Sequence, residues 1–220
     1  MTRPLLVVTA VAAERDAVRA GLPWPPPVTV AAVGVGAATA AAGTARLLTL
    51  AEAAGHGYRG VVSAGIAGGF PGRVPVGGVV LARRSVHADL GAQSADGFLS
   101  LDELGLGTAV MAADDALLDR LARGLAAVAG DGPAIGDVLT VTTVTGTADR
   151  AAALAQAHPE AVAEAMEGYG VACAAAAAGV AFAEVRTISN PVGPRERSAW
   201  RIGDALAALT RVAPALAAPS

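Results

Sequence analysis

Two carboxylates and one amide are the side chains of this sequence best suited to do chemistry. Glu167 is the lone acid between two apolar stretches, where an unpaired carboxylate is costly to bury. Glu14 follows the first apolar segment, and Asn190 ends the last one, directly after Ser189. Such carboxylates can act as general bases or accept hydrogen bonds from hydroxyl groups. Each also has an ordinary structural explanation, because Glu167 could cap a helix and Glu14 could belong to a solvated helical turn.

Two glycine clusters could let the backbone approach a ligand closely. Gly34-Val35-Gly36 follows the second apolar segment, and Gly65–Gly69 follows the third. Turns are the more frequent role of glycines at the ends of strands. The dinucleotide-binding fingerprint requires a third glycine where Thr39 stands, so that motif is not met.

Short apolar segments alternate with alanine-rich helical stretches along the chain. The apolar segments predict strands at 5–10, 28–33, 61–64, 79–85, 109–112, 137–145 and 182–189. The other stretches predict helices at 14–20, 37–54, 117–127, 148–157, 171–178 and 198–212, with a frayed tail after Pro214. Segment 163–167 fits a strand or a helix. The alternation predicts one α/β domain over residues 1–220, with a mostly parallel sheet. Ligands of such sheets bind beyond the carboxyl ends of the strands, where the chemical residues lie.

The composition disfavours several classes of partner. The net charge is −3, and the 16 basic residues are all arginine and are scattered, which disfavours nucleic acid. Alanine makes up about a quarter of the chain, and no apolar run has the leucine-rich content of a membrane-spanning helix. A single cysteine, Cys173, and three separated histidines form no metal-ligand pattern. We therefore expect a cytoplasmic protein that acts on a small molecule without a metal.

Five motifs together resemble the nucleoside phosphorylase/nucleosidase family, in the branch that contains methylthioadenosine/S-adenosylhomocysteine nucleosidase. They are Glu14 after the first strand and the segments 33–36, 63–69, 166–167 and 188–190. More narrowly, segments 165–168, 186–195 and 197–202 resemble the futalosine hydrolase family. The resemblance covers nearly the whole chain. It implies a three-layer α/β/α fold with a mixed, mostly parallel central sheet. It also implies hydrolysis of futalosine to hypoxanthine and dehypoxanthine futalosine, a step of menaquinone biosynthesis.

The resemblance implies a role for each chemical residue. Glu167 would accept hydrogen bonds from the ribose 2′- and 3′-hydroxyls, Met166 would pack under the sugar, and Glu14 would activate the attacking water. Asn190 stands where adenine-specific nucleosidases carry Asp. Its NH₂ group would stabilise a departing 6-oxopurine, which favours hypoxanthine over adenine.

Further substrate contacts follow from the same resemblance. They are Gly68, Val144, Thr145, Ser189, Trp200 and Arg201. Trp200 would line the 5′ side of the pocket, and Arg195, Arg197 or Arg201 would clamp the carboxylate tail. The alternative is that Trp200 anchors the core and the arginines start a solvated helix. His87 and Asp89 are expected near the same pocket, across the subunit interface of a homodimer or larger homo-oligomer.

Hydrolysis is favoured over phosphorolysis. Residues 34–39 contain no arginine, Ile66 stands where the phosphorylases carry Ser, and Arg73 is the only nearby cation. No cofactor is expected. Two alternatives stay open: a purine nucleosidase or phosphorylase acting on inosine or methylthioadenosine, and a nucleoside-binding protein that has lost its chemistry.

Overall fold

Ten strands and six α-helices lie within residues 3–130 and 132–217, the part of the chain that the computed structural model describes. The strands are β1 Leu5–Thr9, β2 Thr29–Ala32, β3 Gly60–Gly69, β4 Val79–His87, β5 Gly91–Ser94, β6 Gly97–Ser100, β7 Val110–Ala112, β8 Ala134–Thr140, β9 Ala161–Ala165 and β10 Ala181–Pro191. The helices are α1 Ala12–Gly21, α2 Ala37–Ala53, α3 Asp115–Val128, α4 Ala148–Ala157, α5 Gly168–Ala178 and α6 Ile202–Ala217.

Strand β3 organises the central sheet because it pairs with three other strands. Its first half pairs in parallel with β1, its last two residues pair antiparallel with β9, and its other edge pairs in parallel with β10. The order β10-β4-β8-β9-β3-β1-β2, together with the β10–β3 pairing, closes five strands into a ring. Only the β3–β9, β4–β10 and β4–β7 pairs of this sheet are antiparallel. The predicted mixed, mostly parallel sheet is confirmed.

Helices cover both faces of the sheet. Successive side chains of β1 point to opposite faces and pack against different helices. Leu5 and Val7 pack in a core with residues of α1, α3 and α6, whereas Leu6 and Val8 pack in a second core with α2 and α5. Because β1 is buried on both faces, its sequence is continuously apolar. The predicted three-layer α/β/α arrangement is confirmed.

Three predicted boundaries are wrong, each for a physical reason. Residues Gly65–Gly69 were expected to form a turn but continue β3, because β10 and β9 supply backbone partners to both edges. The strand expected over 137–145 ends at Thr140, since the N–H groups of Thr142 and Thr145 donate to carboxylates of Asp89 and Glu164 instead.

The third error concerns the C-terminal helix, which starts at Ile202 and continues through Pro214. The tail expected to fray remains helical to Ala217, because Ala215 and Leu216 are buried against the core. Residues 218–220 lie outside the described part of the chain. The β5–β6 hairpin was not predicted, because its strands are short and half-exposed. Within the described residues, no helix is long and apolar enough to cross a bilayer.

Candidate active site

A cavity of about 290 Å³ lies at the carboxyl ends of β1, β3, β9 and β10. This is the edge of the sheet at which α/β proteins bind ligands. Nine of the ten residues predicted for the site line this cavity: Glu14, Gly68, Val144, Thr145, Met166, Glu167, Ser189, Asn190 and Trp200. The fold therefore brings together residues that are up to 186 positions apart in the chain.

Glu14 is fixed by backbone N–H groups and is not a solvated helical residue. It lies in the first turn of α1 and is only 4% exposed. Its Oε2 accepts the N–H groups of Ala10 and Val11 at 3.0 and 3.2 Å, and its Oε1 accepts that of Ile66 at 2.9 Å. A carboxylate oxygen has two lone pairs, so Oε1 keeps one that can accept a hydrogen bond from a water. This geometry suits a general base.

Glu167 is the N-cap residue of α5, yet its side chain makes no capping hydrogen bond. Its Oε1 accepts the N–H of Gly36 at 3.2 Å, and its Oε2 lies 3.3 Å from Nη1 of Arg186. Gly36 has a φ of +87°, a conformation that favours glycine. The predicted glycine cluster at 34–36 thus holds a carboxylate in the cavity wall.

Arg186 lies beneath the two carboxylates and is 1% exposed. Its Nε donates to Oε1 of Glu184 at 2.8 Å, and its Nη2 donates to the hydroxyl of Ser63 at 3.2 Å. Burial opposes the charge of this guanidinium. The neighbouring carboxylates of Glu184, Glu167 and Glu14 outweigh that effect and raise the pKa of Arg186 above its ordinary value.

Two glycines make room for this charge cluster. A Cβ at Gly65 would lie 2.6 Å from Oε1 of Glu14 and 2.8 Å from Nη1 of Arg186. A Cβ at Gly168 would lie 2.1 Å from Oε2 of Glu184, which is fully buried and also accepts the hydroxyl of Ser85. Neither position has space for a side chain.

Asn190 faces the other end of the cavity, at the end of β10. The hydroxyl of Ser189 lies 2.7 Å from Oδ1 of Asn190 and 3.2 Å from the carbonyl of Ala67, and its single hydrogen can serve one of them. The carbonyl of Pro191 can only accept, so the part of the amide that faces it is the NH₂ group. One of its hydrogens bonds the carbonyl of Pro191 at 3.0 Å, which leaves the second for a ligand.

Glu164 is a third carboxylate in the cavity wall, and the sequence analysis missed it. It is 7% exposed and accepts the N–H of Thr145 at 2.8 Å as well as the Thr145 hydroxyl. Burial raises the pKa of Glu164, and the two hydrogen bonds from Thr145 partly offset this rise. A signal existed in the sequence, since Glu164 is the single acid within a buried apolar strand.

Trp200 forms the outer wall of the cavity together with Arg195. The guanidinium carbons of Arg195 and Arg197 lie 5.5 and 5.8 Å from the centre of the Trp200 ring, a distance at which cations are attracted to aromatic faces. Two positive charges therefore lie at the mouth of the site. Trp200 is half-buried and lines the cavity, so it is not a core anchor.

Arg201 is the one predicted site residue that does not line the cavity, and its guanidinium donates to the carbonyl of Ser198. Nδ1 of His87 lies 3.1 Å from Oδ1 of Asp89, and both residues also lie outside the cavity wall. Arg73 donates to three backbone carbonyls, those of Ala155, His158 and Ala161. Arg73 therefore has a structural role in this chain. No group of three or more possible metal ligands occurs among the described residues.

Comparison with known proteins agrees with the fold and the site. A family model described as the phosphorylase superfamily matches residues 16–218. The futalosine hydrolase of Streptomyces coelicolor is 52% identical, over 94% of this chain and 92% of that protein. The chain belongs to the phosphorylase superfamily and, within it, to the futalosine hydrolase family.

A second relative and one solved structure are also similar to this chain. The futalosine hydrolase of Acidothermus cellulolyticus is 45% identical, over 97% of this chain and 90% of that protein. The solved structure of the Helicobacter pylori futalosine hydrolase has a TM-score of 0.79 over 98% of this chain and 97% of that one. Its sequence identity is 17%, so this likeness concerns the fold.

The superfamily motifs predicted most of the residues that line the cavity, but not the buried ion pair of Arg186 and Glu184 beneath them. Arg186 and Glu184 lie two residues apart in β10, on the same face of a strand that is otherwise mostly apolar. Such a pair of opposite charges in a buried strand was the available signal. It was overlooked because their partners, Glu167 and Glu14, lie in other segments of the chain.

Proposed function

We propose that this protein hydrolyses the N-ribosidic bond of futalosine, releasing hypoxanthine and dehypoxanthine futalosine in menaquinone biosynthesis. The observation that carries the proposal is one cavity with Glu14 and Glu167 at one end and Asn190 at the other. The first pair suits attack on a ribose, and the amide suits a 6-oxopurine leaving group. The names of the relatives at 52% and 45% identity support this choice of substrate.

The sugar end performs the attack. The ribose 2′- and 3′-hydroxyls donate to Glu167, and Met166 packs beneath the ring. Cleavage passes through an oxocarbenium-like centre at C1′, as in glycoside hydrolysis. Oε1 of Glu14 accepts a hydrogen bond from a water, takes its proton as the water oxygen bonds C1′, and so acts as the general base.

The base end stabilises the leaving group. As the bond between C1′ and N9 breaks, its electron pair moves into the purine, and negative charge develops on O6 and N7. The free N–H of the Asn190 amide donates to one of these atoms. The departing purine takes up one proton from solvent, and Glu14 returns the proton of the attacking water to solvent, so the net reaction consumes one water.

Water is the proposed nucleophile because the cavity has no phosphate cradle. Among the described residues that line it, Arg195 is the only cation, and Arg195 lies at the mouth beside Trp200. Arg186 is occupied by carboxylates, and Arg73 by backbone carbonyls. Arg195 and Trp200 are proposed to hold the carboxylate tail of the substrate.

The experiment incubates the purified chain with futalosine, inosine and methylthioadenosine, with and without phosphate, and measures the free base. Hypoxanthine release from futalosine that does not depend on phosphate is the expected result. Adenine release from methylthioadenosine, or phosphate-dependent release from inosine, would replace the proposal with a purine nucleosidase or phosphorylase. No release from any of the three would indicate a nucleoside-binding protein.

The proposal also covers the domain organisation, the cellular location and the oligomeric state of the protein. Residues 1–220 are proposed to form one domain that acts in the cytoplasm as a homodimer or larger homo-oligomer, without a cofactor. His87 and Asp89 lie outside the cavity of their own chain. Their predicted contribution across a subunit interface can be tested by measuring the oligomeric state and the activity of a His87→Ala variant.

A further inference from the structure

Glu164 is a buried carboxylate of the cavity for which the mechanism above has no use. It lies in β9 and lines the cavity. Burying a carboxylate is costly unless its oxygens have partners. Thr145 supplies two hydrogen bonds to this carboxylate, one to each oxygen. Each oxygen therefore keeps a lone pair that can accept a donor from a ligand.

The sheet register places Glu164 and Asn190 on opposite sides of Gly68. Gly68 is the register partner of Glu164 in β9 and of Asn190 in β10. Residues directly opposite one another on neighbouring strands point to the same face of the sheet. All three residues line the cavity, so a carboxylate and an amide face each other across two strand spacings, about 10 Å.

Gly68 leaves the floor between these two side chains open. A Cβ at this position would lie 3.4 Å from Nδ2 of Asn190 and 3.1 Å from Val192. The absence of a side chain there makes a flat slot with Asn190 on one side and Glu164 on the other. A planar purine base fits a slot of this shape.

The Glu164 side of the slot accepts hydrogen bonds, because the N–H of Thr145 already donates to the carboxylate. Both hydrogen-bond donors of Thr145 are used in this way, and the ionised carboxylate has none of its own. A 6-oxopurine carries a hydrogen on N1 and so presents a donor at this edge. A 6-aminopurine has an unprotonated N1, which is an acceptor.

We propose that Glu164 determines the base specificity of the site by accepting the N1–H of a 6-oxopurine, while Asn190 contacts its O6 or N7. This inference deepens the proposed function and rests on it for the orientation of the base. In an adenine base in the same slot, the N1 lone pair would face the Glu164 carboxylate, and two acceptors cannot form a hydrogen bond. Binding of adenine would therefore leave both acceptors buried without a donor, which costs free energy.

The test measures the affinity of free bases by calorimetry, so it requires no turnover. Wild-type protein is titrated with hypoxanthine, 1-methylhypoxanthine and adenine. We expect hypoxanthine to bind at least tenfold more tightly than the other two, because hydrogen bonds to charged groups are the stronger ones. Equal affinity for hypoxanthine and 1-methylhypoxanthine, or no binding of hypoxanthine, overturns the proposal.

The Glu164→Gln variant separates the hydrogen bond from the size of the methyl group, because Gln has nearly the shape of Glu. Its Oε1 accepts the N–H of Thr145, so its NH₂ group takes the place of the oxygen that the Thr145 hydroxyl binds. One amide hydrogen then donates to that hydroxyl oxygen, and the other faces the base as a donor. The preference for hypoxanthine over adenine should fall at least tenfold, as should that over 1-methylhypoxanthine. Unchanged ratios overturn the proposal, since a purely structural role would weaken all three bases alike.

Glu160→Gln is the matched control, because it makes the same chemical change at an exposed position near the start of β9. It should keep the wild-type ratios. If Glu164→Gln does not fold, the wild-type comparison with 1-methylhypoxanthine decides alone. A protein that keeps these ratios but does not cleave futalosine refutes only the proposed reaction. One that cleaves futalosine but binds 1-methylhypoxanthine as tightly as hypoxanthine refutes only the role of Glu164.

Discussion

The two ends of the cavity are built on different principles. At the sugar end, Glu14, Glu167 and Glu184 surround Arg186, and most of their oxygens are bonded to backbone N–H groups or to this guanidinium. At the base end, Asn190 and Glu164 stand apart, one on each side of Gly68. The sugar end fixes charges in position for one reaction, whereas the base end arranges donors and acceptors that select one leaving group.

The two ends should also differ in how substitutions affect them. The sugar end buries four charged groups that depend on one another, and removing one partner of a buried pair is strongly destabilising. At the base end, among the described residues, the oxygens of Glu164 accept hydrogen bonds from Thr145 alone, and the amide of Asn190 is neutral. Substitutions at the sugar end should therefore affect rate and stability, and those at the base end should affect mainly the choice of substrate.

The largest effect is expected from Glu14→Gln. The amide keeps the size of the side chain but cannot take a proton from water, so kcat for futalosine should fall about 10³-fold, within the usual range for a general base. KM should change little. Steady-state kinetics measures both values, and Glu52→Gln, an exposed carboxylate, is the control. A kcat within threefold of the wild type would remove Glu14 from the mechanism.

Asn190→Asp tests the base end. A carboxylate in place of the amide repels the negative charge that develops on a 6-oxopurine, so kcat/KM for futalosine should fall about 100-fold. Activity on methylthioadenosine relative to futalosine should rise. Gln93→Glu makes the same change in the exposed β5–β6 hairpin and should leave both activities as they are. A variant that loses both substrates in equal measure would contradict the assigned role.

Gly168→Ala tests how tightly the sugar end is packed. The added Cβ would collide with the buried carboxylate of Glu184, so the free energy of unfolding should fall by about 1–3 kcal/mol. Gly203→Ala is the control, because Gly203 lies in α6 with open space around it. That change should be neutral or stabilising by up to about 1 kcal/mol. Urea unfolding of the two variants measures the difference, and equal stabilities would show that the cluster can rearrange.

Arg195→Ala tests the mouth of the cavity. Loss of this guanidinium should raise KM about tenfold for futalosine, which carries a carboxylate tail, and leave KM for inosine unchanged. Arg201→Ala makes the same change outside the cavity wall. If Arg201→Ala raised KM for futalosine more than Arg195→Ala, the tail would be held by Arg201, another of the three arginines predicted for that role.

The smallest effect concerns pH. The pKa of Glu164 is raised in the folded protein, because burial disfavours its charged form. Between the ordinary value of 4.5 and this raised pKa, the folded state binds more protons than the unfolded state. Stability should therefore decrease as pH rises through this window. Urea midpoints measured from pH 4 to 7 should show this slope in the wild type and a flatter one in Glu164→Gln.

Most of the fold could be predicted from the sequence, because the local pattern of apolar residues agrees with the burial of each segment in the folded protein. Strand β1 is continuously apolar and is buried on both faces, and the alanine-rich stretches became helices. The prediction failed where side chains or distant strands supplied backbone partners. Residues 141–145 look like a strand because they are β-branched, yet Asp89 and Glu164 accept two of their N–H groups. Neither partner can be inferred from the local sequence.

The site was predictable where a single residue stands out from an alanine background. Asn190 is the only asparagine of the chain, and Glu167 is the only acid of residues 165–178. The network beneath them was not predictable in the same way. The role of Arg186 depends on carboxylates that are 172, 19 and 2 positions away, namely Glu14, Glu167 and Glu184. Residues that are so far apart in the sequence come into contact only when the sheet has formed.

The triple pairing of β3 has a consequence for how substrate preference can change. The strands that carry Glu164 and Asn190 are both hydrogen-bonded to β3, so the width of the base slot equals two strand spacings. Such a width cannot grow or shrink gradually, because the backbone ladder would have to break first. New base preferences must then arise by exchanging the side chains at positions 164 and 190 on an unchanged scaffold. A small library of variants at these two positions would therefore sample the full range of purine leaving groups.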